Sequence, residues 1–151
     1  FAGEQSTVPG TAEQPFVVTD GLFDQTKTES DLGLSKIEGA ETVTVFTATD
    51  DTDHYCNGVV MTEFKGKLYT QWQSSAKDED AEDTWVAYSV SDDNGATWSE
   101  PKVLVPTIDN GYCSSGGWFV SGDTLVSYIN VWYSDTTPRG GFAYYVESTD
   151  V

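Results

Sequence analysis

The sequence predicts an all-β protein, and three observations carry that prediction. Short runs rich in β-branched and aromatic residues alternate in polarity and are divided by Gly-containing turns. No stretch holds a sustained 3.6-residue apolar period with helix caps. The runs also recur: Tyr55-Cys56 returns as Tyr112-Cys113, Leu68 as Leu125 and Ser91 as Ser148, each 57 positions on, and Ala87-Tyr88 returns as Ala143-Tyr144 after 56.

Residues 1–40 carry few apolar clusters (Phe16-Val17-Val18 and Leu22-Phe23) in a background of Ser, Thr, Gly, Glu and Gln, and read as an extended leader or linker. From 41 to 151 the pattern is that of antiparallel hairpins. Val43–Phe46 reads as a first strand. Val59–Phe64 and Leu68–Trp72 read as a hairpin closed by Lys65-Gly66-Lys67. The repeating units span about 54–106 and 111–151, and the content of each is four short strands, that of one four-stranded antiparallel β-propeller blade. The chain thus supplies about two blades, the second stopping at Asp150-Val151 where the first runs on into Asn94-Gly95. Two blades leave open edges and unburied faces, so the expectation is an incomplete propeller, completed by further sequence or by a second chain.

Composition narrows the function classes. The 151 residues include 25 acids against 7 Lys and Arg, a formal net charge of −18, with 13% aromatic residues. A chain so rich in rings folds, and one so acidic is a poor partner for phosphates, whether of nucleic acid or of an anionic membrane. No run approaches the roughly 20 apolar residues of a membrane-spanning helix. Two cysteines and one histidine exclude cysteine-based zinc and multi-histidine metal centres. No metal or other cofactor is expected, calcium on loop carboxylates being the one open exception.

Ser91-Asp92-Asp93-Asn94-Gly95-Ala96-Thr97-Trp98 fits the pattern S-x-D-x-G-x-x-W. It resembles the Asp-box, the hairpin signature of the bacterial-neuraminidase repeats in sialidases and related propellers. Ser91, Asp93, Gly95 and Trp98 then have structural roles: Asp93 accepts amides of its own turn, Gly95 supplies a positive φ and Trp98 packs between sheets. Asp53 to Pro101 is also similar to secreted glycan-degrading members of this group. The resemblance covers about the last two thirds of the chain. It implies that the Asp-box joins the third and fourth strands of a blade, on the face opposite the one that binds glycans.

On that topology the binding-face loops are Asp50–Asn57, Ser74–Asp83, Thr107–Ser115 and Asn130–Gly140. His54 opens an innermost strand and is the candidate acid or base. Asp53 beside it is a candidate catalytic carboxylate, one of several acids on these loops that include Asp78, Glu79 and Asp80. Tyr133 is the candidate catalytic tyrosine and Arg139 the candidate partner of a sugar carboxylate, the roles filled in similar uronate-polysaccharide lyases. Tyr55, Tyr112 and Trp132 offer rings for stacking on sugars, and Asn57 and Ser114, at equivalent places in the two repeats, offer hydrogen bonds. The whole Lys77–Asp83 stretch, Asp78, Glu79 and Asp80 included, reads first as a solvated acidic loop. Cys56 and Cys113 start equivalent strands and are expected to form a disulfide, which fits an oxidising compartment.

The resemblance implies a secreted or cell-surface carbohydrate-active protein, a sialidase-like exo-glycosidase or a related polysaccharide-degrading enzyme. Sialidases hold sialate with three arginines, and this chain has one, Arg139. A non-catalytic glycan-binding propeller and a lyase using His54 therefore stand beside the hydrolase.

Overall fold

The computed structural model describes residues 21, 23–24, 26–27, 33–34, 37–137 and 141–150. The chain divides into two compact units, Phe1–Glu41 and Thr42–Val151. Within the first, Asp24 caps a turn: its Oδ1 accepts the Thr26 amide (3.0 Å) and hydroxyl (2.6 Å).

The second unit is all-β among its described residues. It holds seven strands: β1 Tyr55–Phe64, β2 Lys67–Ser75, β3 Trp85–Ser91, β4 Lys102–Val105, β5 Gly111–Ser121, β6 Thr124–Tyr133 and β7 Gly141–Ser148. They form two antiparallel sheets in chain order, β1-β2-β3-β4 and β5-β6-β7. Lys65 (φ 50°) and Gly66 (φ 77°) make the two-residue turn between β1 and β2, both in the left-handed region that such hairpins demand.

The sequence repeat reappears as a repeat of register. Cys56 lies opposite Ser74 as Cys113 lies opposite Val131, and Leu68 lies opposite Ser91 as Leu125 lies opposite Ser148. Even the irregularity recurs, between Asn57 and Val60 in β1 and between Ser115 and Gly117 in β5.

The sheets pack face to face. Val86, Cys113, Ile129 and Val131 form one buried cluster and Phe64, Tyr69 and Leu125 another. Removing such side chains from water contributes roughly 1.5–3 kcal/mol each. Polar bonds lock the same interface: Ser115 donates to the Gly58 carbonyl, Trp118 Nε1 to the Val60 carbonyl (3.3 Å) and Ser127 Oγ to Gln71 Oε1 (2.7 Å). Because successive strand residues point to opposite faces, Tyr55, Asn57, Gln71, Gln73 and Val86 share the face of the first sheet that meets the second. Cys56, Trp72, Ser74 and Trp85 share the other face.

Two expectations are corrected. Val43–Phe46 forms no strand; Phe46 instead stacks on Trp72, with ring centroids 6.1 Å apart, and covers the outer face of the first sheet. The disulfide is absent, both thiols being free. Pleating is the cause. Cys113 is fully buried on the inner side, its Sγ donating to the Thr84 carbonyl, while Cys56 shares the outer face with Ser74 and Trp85. The first sheet stands between the two sulfurs.

Candidate functional site

A cleft of about 550 Å³ lies where β1 begins and β2 ends. Asn57, Gln73 and Glu79 form one side, and Tyr112, Ser114 and Trp132 the other. Equivalence within the repeat explains the arrangement. Tyr112 and Ser114 are the second-unit counterparts of Tyr55 and Asn57, so the cleft wraps round the start of β5.

Glu79 is fixed from three directions. Its Oε2 accepts the Tyr55 hydroxyl (3.0 Å) and Asn57 Nδ2 (3.3 Å), and its backbone carbonyl accepts Gln73 Nε2 (2.7 Å). Ser75 Oγ holds the same loop by donating to the Asp78 carbonyl. Desolvation, together with the Glu79 carboxylate, pushes the Tyr55 phenol above its ordinary pKa, so Tyr55 stays a neutral donor. Across the cleft Tyr112 and Trp132 are cross-strand partners and stack with centroids 5.8 Å apart and planes 24° from parallel. The result is an aromatic surface beside a carboxylate and two amides.

Of the predicted binding residues, Asn57, Tyr112, Ser114 and Trp132 line this cleft, and Tyr55 joins it through Glu79. Arg139 lies outside the described residues. The three predicted catalytic residues stand elsewhere. Asp53 faces the outer side of the first sheet, where its Oδ2 accepts Ser74 Oγ (2.9 Å) and Trp85 Nε1. Tyr133 follows Trp132 by one residue and so points to the opposite face, packed on the Val86–Cys113 cluster. A hydrogen bond with Tyr144 raises its pKa. His54 is exposed just before β1 and, among the described residues, makes no hydrogen bond and does not line the cleft. Sequence reasoning missed Gln73, whose signal was the alternation Gln71-Trp72-Gln73: polar residues at period two in an otherwise buried strand.

The Ser91–Trp98 hairpin sits at the far end of β3 from the cleft, since Ser91 pairs with Leu68 and Trp85 with Ser74. Asp93 Oδ1 accepts the Thr97 amide and the Ser91 hydroxyl, both at 2.8 Å, and Oδ2 accepts the Thr97 hydroxyl at 2.6 Å. The Thr97 and Ser91 bonds hold its carboxyl down at about 2. Gly95 takes φ 90° and its carbonyl accepts Trp98 Nε1 at 3.1 Å. Trp98 is half-buried, its indole tied back to this turn through the Gly95 carbonyl.

Among the described residues no group of three or more His, Cys, Asp or Glu is placed to hold a metal ion, and no helix is long and apolar enough to cross a membrane. Comparison with known protein families and with curated proteins finds no match for this chain.

Proposed function

We propose that the chain is a section of a secreted, sialidase-like β-propeller that acts on carbohydrate, and that the cleft between Glu79 and Trp132 is where it holds a glycan. The observation that carries the reading is the cleft's composition: stacked aromatic rings, a fixed carboxylate and amide groups in one concavity. A sugar ring has an apolar C–H face and a rim of hydroxyls, and needs an apolar floor with a few placed polar partners. The repeated register and the packing of β5 on the first sheet support the propeller. So does the outer face of the second sheet, where Phe119, Tyr128 and Tyr145 stand exposed as a following blade would require. The self-satisfied Ser91–Trp98 hairpin, remote from the cleft, supports the resemblance to Asp-box proteins.

In the exo-glycosidase reading, Tyr55 and Glu79 are the cleft's candidate nucleophile and base, hydroxyl on carboxylate at 3.0 Å. The non-catalytic binder is favoured by a different observation: His54, Asp53 and Tyr133 all lie outside the cleft. Calorimetric titration with a panel of oligosaccharides, alongside aryl-glycoside hydrolysis, tests both. Trp132→Ala should weaken glycan binding about tenfold or more, the loss typical of a central aromatic contact. Unchanged binding by that variant refutes the site. Binding without hydrolysis by the full chain selects the binder.

A further inference from the structure

We infer that a slot between the two sheets is a second binding site, which takes a small aryl carbonyl compound: an apolar ring bearing one hydrogen-bond acceptor. The slot shares no described lining residue with the glycan cleft, so the inference stands apart from that reading.

The slot lies toward the end of the sheets away from the cleft, by the Leu68–Ser91 and Leu125–Ser148 pairs. Tyr88, Val103 and Leu104 of the first sheet face Trp118, Leu125 and Val146 of the second across about 230 Å³. An apolar cavity of ~150 Å³ holds benzene and stays dry, so this one has room for a ring with a short side chain. Trp118 stands edge-on to Tyr69, with centroids 6.3 Å apart, and offers an aromatic neighbour to an incoming ring. Because both sheets bound the slot, a further unit stacked on the outer face of the second sheet leaves it in place.

The walls also dictate what the side chain carries. Tyr69 lines the slot and is 2% exposed, and its hydroxyl has no hydrogen-bond partner among the described residues. Two residues along the same face of β2, Gln71 is fully buried. Its Oε1 accepts Ser127 Oγ (2.7 Å), while its Nε2 has no partner among the described residues. Burial, and then Tyr88, push the Tyr69 phenol above its ordinary pKa, which keeps it a neutral donor. A buried donor without an acceptor has given up the bonds that water supplied. A ligand carbonyl reaching Tyr69 returns one while the attached ring covers apolar wall. A ligand hydroxyl or amine would add a donor where donors are already in surplus.

Fluorine NMR of the full chain with 4-fluoroacetophenone and 1-ethyl-4-fluorobenzene tests the site, since the two probes nearly match in shape and differ in the carbonyl oxygen. A slot that is only apolar favours the hydrocarbon, because burying an unbonded carbonyl has a cost. The ketone should instead bind about tenfold more tightly, the gain from one satisfied hydrogen bond. Tyr69→Phe removes the hydroxyl and keeps the ring. It should abolish the ketone's advantage, and its Tm should match or exceed the parent's because no bond is lost. Equal or tighter binding of the hydrocarbon by the parent overturns the inference, as does binding of neither probe. A ketone preference that survives in Tyr69→Phe overturns it too. So does a lower Tm for that variant, the sign that an ordered water already serves the hydroxyl. Each of these failures leaves the glycan cleft standing.

Discussion

Removing the Asp53 carboxylate should loosen the fold and spare the cleft. In the structure, Asp53 Oδ2 receives both Ser74 Oγ and Trp85 Nε1, tying the segment before β1 to the outer face of β2 and β3. Hydrogen bonds to a charged acceptor contribute roughly 1.5–3 kcal/mol each. Asp53 is half-buried, so water recovers part of that in Asp53→Ala, and the net loss is about 2 kcal/mol. For a domain of this size a loss of that order lowers Tm by about 8 °C. Asp53→Asn keeps one acceptor oxygen and should lose half as much or less. Thermal melting followed by circular dichroism reads the stability, and titration with an oligosaccharide reads the cleft. The reasoning fails if Asp53→Ala melts with the parent yet has lost binding or turnover, for then the carboxylate works at the ligand.

Four further outcomes are expected. Alkylation of the native protein should label Cys56 but not Cys113, whose thiol burial pushes up to about 11; denaturant should expose both, and one unlabelled pair in denaturant would restore the disulfide. His54→Ala should leave glycan affinity and Tm close to the parent, and a selective loss of turnover would place His54 at the chemistry after all. Asp93, with its folded pKa depressed, adds stability that is fully present above its unfolded value near 3.8 and is lost as pH falls through about 2; Asp93→Asn should flatten that acid limb in a pH series of melts. Gly111→Ala should destabilise severely, because its Cβ would lie 2.3 Å from the Trp132 carbonyl oxygen; a Tm within 2 °C of the parent, about half a kcal/mol, would contradict the close approach of β5 and β6.

Strand content and pairing were legible because they rest on local signals: alternation, the Lys65-Gly66 turn and a repeat that fixes equivalent positions. The same repeat, with blade topology, located Tyr55, Asn57, Tyr112, Ser114 and Trp132 at one end of the sheets. What stayed hidden was parity. In a strand a single residue changes the face, so Trp132 reaches the cleft and Tyr133 does not. Cys56 and Cys113 look equivalent along the chain, yet one faces away from the second sheet and the other faces the first. Glu79 sits within a run of acids, Lys77–Asp83, that reads first as a solvated loop. Only the bonds from Tyr55, Asn57 and Gln73, up to 24 residues away, single it out.

Ser115 and Gly58 are counterparts in the two units, and they are also bonded to each other across the joint. Ser115 carries both halves of such a connector, a hydroxyl that donates and a carbonyl that can accept, whereas Gly58 keeps only the accepting carbonyl. Duplication of a unit with serine at this place supplies a working joint at once, whereas a unit with glycine there can only receive its neighbour. The cost is constraint on later drift: a change at such a place alters how a unit grips the one before it and also how it receives the one after. Divergence between copies should run fastest in the loops and outer strands, and slowest along the inner strands where like meets like.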